Sequence, residues 1–402
     1  MQEHVVRRLT VGIYFHIPFC KQACHYCDFH FVTSLKQKEE MLAAMEQELL
    51  WQSQQSFFNS SVKIQTIYFG GGTPSLLNGE EIRRLMDCCA KYFNLSELKE
   101  VTLEANPDDL QGSKIQDFQK AGINRLSIGV QSFFEEDLRW MNRAHGAGEA
   151  ELAIKTAQDA GLINITADLI YGYPLLTDEK WEENIRTMVK LGVPHISAYS
   201  MTVEPKTALG TWVKRGKEPA MDEEQSARQF ERLMEILDES GFLHYEISNW
   251  AKPGYLAVHN SNYWKGVPYL GIGPSAHGFN GQKRYWNVPN NAKYMNHLKE
   301  NGEPLFEEEL LSPTDHYNEY IMTSLRTIWG VDLDYVKATF PNSHSEALEK
   351  DLNRLESQGL VKRMSCENNI SEPGLESKAT AYVLTQSGKL IADRIASDLF
   401  FA

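Results

Sequence analysis

Three of the chain's six cysteines lie within one short segment that could bind a metal. They are Cys20, Cys24 and Cys27, spaced C-x3-C-x2-C. A β-rich run at residues 9–16 precedes them, and Pro18 then ends regular pairing because proline has no N–H to donate. We therefore expect the cysteines on a loop at the carboxyl end of a strand, which is the functional end of parallel α/β folds.

Three thiols on one loop are compatible with three kinds of site. Thiolates are soft ligands that suit zinc, Cu(I) or iron–sulfur clusters. A structural zinc site needs four ligands, and a nearby histidine could supply the fourth: His16, His25 or His30. An iron–sulfur cube bound by three cysteines keeps one iron open. Ligand preference favours the iron–sulfur cluster but leaves zinc and unligated structural thiols as alternatives.

A run of glycines, Gly70, Gly71 and Gly72, is followed by Thr73 directly after a predicted strand at 64–69. Bare backbone groups at such a turn can approach a polar ligand closely. The segment is not a P-loop, because no Gly-Lys-Ser/Thr follows. A glycine run by itself is more often a tight turn, so a binding role depends on the neighbouring cysteine loop.

Polar side chains recur at the ends of the predicted strands. Glu104 ends the third strand, Gln131 follows the fourth, and Arg143 comes shortly afterwards. Asp168 lies within the fifth strand, where a carboxylate is costly to bury unless it is paired or bound. Solvated strand ends, or a core ion pair such as Asp168 with Arg143, are the alternatives to ligand binding.

The elements that must position these residues alternate between strand and helix. After the first strand, further strands are predicted at 64–69, 100–104, 125–130, 164–170 and 195–201, with helical patterns between them. This alternation indicates an α/β fold of parallel βαβ units. Six such units make an incomplete, partial (β/α)6 barrel.

The rest of the chain changes pattern twice. We expect the partial barrel over 1–220, a barrel extension over 221–290 and a smaller C-terminal domain over 291–402. The C-terminal order of helix, strand, strand and helix suggests an α+β, winged-helix-like module. Its helix at 345–358 carries four acids against two bases, the wrong sign for a recognition helix.

Composition and charge narrow the cellular compartments and the classes of partner to be expected. The formal net charge of −14 gives no reason to expect nucleic-acid binding. The sequence contains no run of eighteen apolar residues, so no transmembrane helix is predicted. Residues 1–10 lack the apolar core of a signal peptide. Cys88 and Cys89 lie on a helical pattern typical of buried hydrophobic residues. We expect a protein of the reducing cytoplasm, and a peripheral membrane contact stays open.

The cysteine spacing after a strand, with the aromatic Tyr26 between the last two cysteines, resembles radical S-adenosylmethionine (SAM) proteins. Segment 14–29 is most similar to the oxygen-independent coproporphyrinogen III oxidase family, and later motifs extend the resemblance over nearly the whole chain. In that family the three cysteines hold a [4Fe–4S] cluster whose open iron is chelated by SAM. An electron from the cluster splits SAM into methionine and a deoxyadenosyl radical, so an electron donor is implied.

The resemblance also implies two sets of SAM contacts. The glycine run, including Gly71, matches a motif whose backbone groups hold the methionine ammonium. Positions that match contacts to the cluster-bound SAM are Tyr14, Gly72, Thr73 and Glu104. Positions that match contacts to a second SAM in the oxidase are Tyr26, Gln131, Arg143 and Asp168. These side chains suit the polar groups of SAM, because Arg can donate two hydrogen bonds to a carboxylate while Asp and Glu accept from ammonium or hydroxyl groups.

Two features separate this chain from the oxidase proper. The oxidase has a fourth cysteine two positions after the third, whereas Phe29 stands there in this chain. Residues 259–264 match the H-N-x-x-Y-W motif of the family's haem-chaperone branch. A neutral imidazole such as His259 is a suitable axial haem ligand, and Tyr263 and Trp264 offer flat apolar surface. An ordinary loop over a core Tyr–Trp pair is the alternative, and His277 is a rival ligand.

These features favour a haem chaperone that carries a [4Fe–4S] cluster and SAM, binds haem and delivers it to apo-haemoproteins. Between Tyr255 and Phe279 the only formally charged residue is Lys265. Such a segment suits haem better than the tetra-acid coproporphyrinogen, which would require several Arg or Lys. The alternative is oxidative decarboxylation of two coproporphyrinogen propionates, and a radical SAM enzyme with an unrelated substrate is a weaker third option.

Overall fold

The computed structural model describes residues 10–58, 62–364 and 381–401. Cys366 therefore lies outside the described residues. In the described part, the strands are β1 (Thr10–Ile17), β2 (Lys63–Gly71), β3 (Glu100–Ala105), β4 (Arg125–Gln131), β5 (Ile165–Tyr171), β6 (His195–Ser200), β7 (Leu243–Glu246), β8 (Asn249–Ala251), β9 (Tyr269–Ile272), β10 (His277–Phe279), β11 (Lys283–Asn287), β12 (Phe306–Leu310), β13 (Val331–Asp332), β14 (Val361–Arg363) and β15 (Ala381–Leu384).

The helices connect these strands in chain order. They are α1 (Lys38–Ser53), α2 (Gly79–Tyr92), α3 (Gly112–Lys120), α4 (Glu135–Trp140), α5 (Ala147–Asp159), α6 (Asp178–Lys190), α7 (Ala208–Lys214), α8 (Glu223–Glu239), α9 (Val258–Trp264), α10 (Asn291–Asn301), α11 (Pro313–Leu325), α12 (Leu333–Thr339), α13 (Asn342–Ser357), α14 (Gln386–Lys389) and α15 (Ala392–Asp398). None of these described helices combines the length and apolarity that crossing a bilayer requires.

The described residues form two compact units. The first comprises the described residues of Met1–Asp222 and Val267–Glu309, and the second comprises those of Glu223–Gly266 and Leu310–Ala402. Residues 267–309 thus group with the N-terminal part of the chain, whereas the sequence analysis placed divisions at 220 and 290.

The first unit is built on an open sheet of six consecutive parallel strands, β1 to β6. The sheet does not close, which confirms the predicted partial barrel. Beyond β1 it continues through β9, parallel to β1, and then through the antiparallel β10 and β11 to β12. Sequence analysis did not predict these four additional strands.

The two faces of the six-stranded sheet differ in polarity. One face is apolar and buried, with Phe15 paired to Phe69, Phe69 to Leu103 and Leu103 to Leu126. The other face is polar, because alternate positions carry Tyr14, Tyr68, Thr102, Glu104, Ser127, Thr166, Asp168, His195 and Ser197. Since period-two alternation separates the faces, a continuous polar surface lines one side of the sheet.

Helix α2 shows how local sequence sets the elements of this unit. The Asn78 side chain accepts from the Glu81 N–H at 2.9 Å, and the Glu81 carboxylate accepts from the Asn78 N–H at 2.8 Å. This capping box satisfies two amide groups that would otherwise lack partners at the start of the helix.

The second unit is α+β. Its C-terminal part has a three-stranded antiparallel sheet in the order β13-β15-β14, next to helices α11, α12, α13 and α15. Leu352, Leu348, Ile321 and Tyr382 are buried in one apolar core there. The predicted single strand at 243–249 is instead the antiparallel hairpin of β7 and β8.

Candidate functional site

The cysteine loop is closed at its base by backbone hydrogen bonds. The Cys20 N–H donates to the Val32 carbonyl at 3.0 Å, and the Val32 N–H donates to the Pro18 carbonyl at 3.0 Å. Within the loop the Cys27 N–H donates to the Cys24 carbonyl at 3.3 Å. The chain therefore leaves β1, carries the three thiols and returns to the same point.

The glycine run is joined to this loop. The Gly72 N–H donates to the Ile17 carbonyl at 2.9 Å, and the Thr73 N–H donates to the Phe19 carbonyl at 2.6 Å. A Cβ atom on Gly72 would lie 2.5 Å from the Phe19 oxygen, so a side chain would force the two segments apart. The Thr73 side chain is also hydrogen-bonded to Cys20.

The three thiols influence one another. Burial raises the pKa of Cys27 to about 12, with further upward contributions from Cys24 and Cys20. Burial likewise raises the pKa of Cys20. No three His, Cys, Asp or Glu side chains in the described ranges stand in metal-binding geometry. Because metal ligands must be thiolates, ligation at this loop would release protons and draw the thiols together.

Glu104 is held at the carboxyl end of β3 by two donors. The Tyr68 hydroxyl donates to Oε1 at 2.8 Å, and the Gly71 N–H donates to Oε2 at 3.1 Å. Burial raises the pKa of Glu104 to about 7, and the nearby Asp168 charge acts in the same direction. Tyr14 stacks on Tyr68 with ring centroids 6.0 Å apart, which places it beside this carboxyl group. A cation entering the site would favour the ionised carboxylate.

Arg143 connects the cysteine loop to the strand ends. Its guanidinium donates to Cys24 Sγ at 3.4 Å, to the Asn106 side-chain oxygen at 2.8 Å and to the Gly129 carbonyl at 2.8 Å. It is also hydrogen-bonded to the Tyr26 hydroxyl. Its Nε is buried and has no hydrogen-bond partner among the described residues. One donor of the guanidinium therefore remains available for a ligand.

Gln131 and Asp168 complete the polar end of the sheet. Gln131 has a φ of 69°, a left-handed conformation that is uncommon for a residue other than glycine. Asp168 accepts from the Ser127 hydroxyl at 3.5 Å. Burial raises the pKa of Asp168 to about 6, against contributions from Ser197, Arg125 and Arg143 that lower it. Gln131 is thus a strained position at the end of β4, the strand whose Gly129 carbonyl accepts from Arg143.

The first unit brings together most of the predicted residues. Its side chains and glycines at this edge are Tyr14, Cys20, Cys24, Tyr26, Cys27, Gly71, Gly72, Thr73, Glu104, Gln131, Arg143 and Asp168. His259 is the exception, because it belongs to the second unit. There it lies on α9 rather than on a loop, is 2% exposed, and its Nε2 is hydrogen-bonded to the Tyr263 hydroxyl at 2.9 Å.

Sequence reasoning missed two residues that organise this site. Tyr68 donates to Glu104, and Asn106 links Arg143 to Thr73 through contacts of 2.8 and 3.5 Å. The signal for Tyr68 was its alternation with the apolar residues of β2. For Asn106 it was the position directly after β3, ahead of Pro107.

Comparisons with known proteins identify related families. The Radical SAM superfamily model matches residues 14–188, and the HemN C-terminal domain model matches residues 311–364. Heme chaperone HemW of Bacillus subtilis (strain 168) is 34% identical over 391 residues, covering 95% of this chain and 97% of that protein. Heme chaperone HemW of Mycobacterium tuberculosis (strain ATCC 25618 / H37Rv) is 32% identical over 392 residues, covering 96% and 94%.

A solved structure shares the fold. Coproporphyrinogen III oxidase (HemN) from Escherichia coli, described as a radical SAM enzyme, superposes with a TM-score of 0.80. The match covers 98% of this chain and 90% of that one at 22% sequence identity. At this identity the likeness establishes the fold alone.

Proposed function

The chain belongs to the HemW family of radical SAM proteins, and on that basis we propose that it is a cytoplasmic haem chaperone. It binds haem and delivers it to apo-haemoproteins. The observation that carries this proposal is the similarity to heme chaperones over 95% of the chain. Phe29 supports it, because this apolar residue stands where the oxidase has its fourth cysteine. Its side chain is 66% exposed.

Radical SAM proteins carry a [4Fe–4S] cluster and SAM, and the cysteine loop fits this requirement. Cys20, Cys24 and Cys27 supply three soft ligands, which leaves one iron open for SAM. When bound, the cluster supplies one electron to SAM and takes it from an external donor. The chain's own contribution is to hold the loop against the glycine run through the Gly72 and Thr73 backbone hydrogen bonds.

The cluster-bound SAM is held by groups at the glycine run. The Glu104 carboxylate would accept from the ammonium group of SAM, while backbone groups of Gly71 and Gly72 and the Thr73 side chain would bind the polar end of the ligand. Tyr14 lies beside the same carboxyl group, because its ring stacks on Tyr68, which donates to Glu104. The fit is supported by the buried, doubly hydrogen-bonded state of Glu104.

Arg143, Tyr26, Gln131 and Asp168 form the other contact set. The buried Nε of Arg143, which has no partner among the described residues, is suited to donate to a ligand carboxylate, and Asp168 is suited to accept from hydroxyl or ammonium groups. Arg143→Ala should weaken SAM binding about tenfold, the loss expected for one charge-assisted hydrogen bond. The matched control is the exposed Arg139→Ala, which should leave affinity unchanged in calorimetry on cluster-loaded protein. Equal affinity in both variants would remove Arg143 from the site.

Haem is the ligand that gives the family its function. His259, predicted as an axial ligand, is engaged with Tyr263, so ligation at this position requires that hydrogen bond to open. Half-buried Tyr263 and Trp264 follow on the same helix and provide aromatic surface. Apo-haemoprotein clients and the electron donor are the partners that this function requires, and a peripheral membrane contact stays a prediction.

Product analysis separates the chaperone from the decarboxylase. Cluster-loaded protein is incubated anaerobically with SAM, a reductant and coproporphyrinogen III, while haem binding is measured on the same preparation. The proposal expects saturable haem binding and unchanged coproporphyrinogen. Formation of the doubly decarboxylated product would overturn it.

A further inference from the structure

The polar face of the barrel sheet continues past β1 onto the added strands. Tyr14 pairs with Gly271 and Gly12 pairs with Tyr269, so Tyr269 lies on the same face as Tyr14. Tyr269 in turn pairs with Phe279 on β10. This extension faces the same side as the candidate SAM site.

Four side chains share that face on the hairpin of β10 and β11. His277 pairs with Trp286, and Phe279 pairs with Arg284. Cross-strand partners point to the same side, and residues two apart on a strand also share a side. His277, Phe279, Arg284 and Trp286 therefore form one continuous group, which we call the hairpin face.

The opposite side of the hairpin is fixed in the core. Tyr285 is buried, and its hydroxyl accepts from the Gly271 N–H at 3.1 Å. A Cβ atom on Gly278 would lie 2.1 Å from the Tyr285 ring, so glycine is required for this packing. Because one side is anchored, the hairpin face is presented on a rigid support.

His277 has the properties of an accessible metal ligand. Its side chain is exposed, unlike that of His259. Its ring stacks on Trp286 with centroids 6.1 Å apart and an interplanar angle of 28°, which holds the orientation of the imidazole. Partial burial and the charge of Arg284 lower the pKa of His277, which favours the neutral imidazole that a metal requires.

We propose that the hairpin face is a haem-binding site additional to His259, with His277 as axial iron ligand, Phe279 and Trp286 against the macrocycle and Arg284 on a propionate. This inference rests on the proposed function and names a site for it on the barrel unit. The combination suits haem, because an imidazole can ligate its iron, aromatic rings can pack on its apolar plane, and a guanidinium can bind its propionate.

The test uses full-length, cluster-loaded protein in which His259→Ala removes the other candidate ligand. Haem is titrated anaerobically and followed by the Soret difference spectrum. The His259→Ala protein should retain one saturable haem, and adding His277→Ala should weaken binding at least tenfold and shift the band. Free imidazole should restore the spectrum of the double variant. His297→Ala, in the same unit, is the matched control and should have no effect.

Arg284 gives an independent readout. Arg284→Gln should weaken binding of haem about fivefold but leave binding of haem dimethyl ester, which lacks the propionate charges, unchanged. The hairpin site is overturned if His259→Ala alone abolishes binding, or if the double variant keeps the spectrum and affinity of His259→Ala. Absence of saturable haem binding in the unmodified protein would instead refute the proposed function, and this site with it.

Discussion

At the scale of single residues, substitution of Cys24 tests whether the loop cysteines ligate a cluster or are structural thiols. Cys24→Ala should abolish the brown colour and the roughly four irons of anaerobically purified protein, because a [4Fe–4S] cluster needs all three loop thiolates. Cys88→Ala is the control, since Cys88 lies on α2 with its thiol directed at the Glu46 carbonyl at 3.9 Å. Iron analysis and absorbance measure both. Stoichiometric zinc without iron in protein prepared without oxygen would contradict the cluster assignment.

Glu104 should make SAM binding depend on pH. Its pKa of about 7 means that the free site is mostly protonated at pH 6, whereas an ammonium group requires the carboxylate. SAM affinity should therefore rise as the pH increases from 6 to 7.5. At pH values below the pKa of Glu104, the rise should be at most about tenfold for each pH unit. Calorimetry at several pH values measures this rise.

Glu104→Gln removes the titrating group with little change of shape. The variant should bind SAM roughly 1.5–3 kcal/mol more weakly at pH 7.5, the worth of a hydrogen bond to a charged group, and should lose the pH dependence. Glu97→Gln, at the half-buried ion pair with Lys63, is the control. An unchanged pH profile in Glu104→Gln would show that another group controls SAM binding.

Residue types alone could indicate the candidate site but not its contacts. Glu104, Arg143 and Asp168 were recognisable because charged groups at the ends of apolar strands need a partner. Their partners depend on strand register, which pairs Tyr68 with Thr102 and so brings the Tyr68 hydroxyl to Glu104. Local sequence does not specify that register.

At the scale of elements, the join between the cysteine loop and the glycine run is the critical contact. Gly72→Ala would place a Cβ 2.5 Å from the Phe19 oxygen, so the backbone must move, at a cost of about 1–3 kcal/mol. Cluster content and thermal stability should both fall. Gly148→Ala is the control, because a Cβ there has no neighbour within 4 Å. Full cluster content in Gly72→Ala would mean that the two segments move independently.

Helix α1 is fixed to the sheet extension by a buried carboxyl group. Glu48 accepts from the Gly273 N–H at 2.8 Å, from Asn287 at 2.7 Å and from the Tyr294 hydroxyl. Burial raises the pKa of Glu48 to about 7 from an ordinary value of 4.5. Since the folded state holds the proton more tightly, this group's contribution to stability is present below pH 4.5 and is lost as the pH rises towards 7.

Glu48→Gln should remove that dependence. Gln cannot accept from all three donors, so the variant is less stable than the unmodified protein at pH 5. The difference in free energy of unfolding should then shrink by roughly 2 kcal/mol as the pH rises to 7.5. Denaturant titrations at several pH values measure it. A difference that stays constant over this range would show that Glu48 is ionised throughout in the folded protein.

The elements themselves were predictable where they are long and periodic. Strands β2 to β6 lie within a few residues of their predicted positions, and helices α1 to α6 occupy the intervals predicted to be helical, because buried parallel strands and amphipathic helices have strong patterns. The short elements β9, β10 and α9 were not predicted. With three to seven residues each, they have too little periodicity and form through tertiary contacts.

At the scale of the whole molecule, the sequence predicted the class of both units, and the predicted division at 220 lies next to the boundary at Asp222. The order of strands and helices was enough for a partial barrel and an α+β C-terminal region. Residues 267–309 nevertheless return to the first unit, because β9 pairs with β1. Pairing between strands so distant in the chain leaves no mark on local composition.

Haem binding by the intact protein is the central claim, and an anaerobic haem titration of cluster-loaded, full-length chain tests it most directly. Saturable binding should produce a Soret band while the iron–sulfur absorbance and the four irons remain. An apo-haemoprotein added afterwards should acquire that haem faster than it acquires haem from albumin at equal concentration. Haem that binds without saturation, or that transfers no faster than from albumin, would contradict the account.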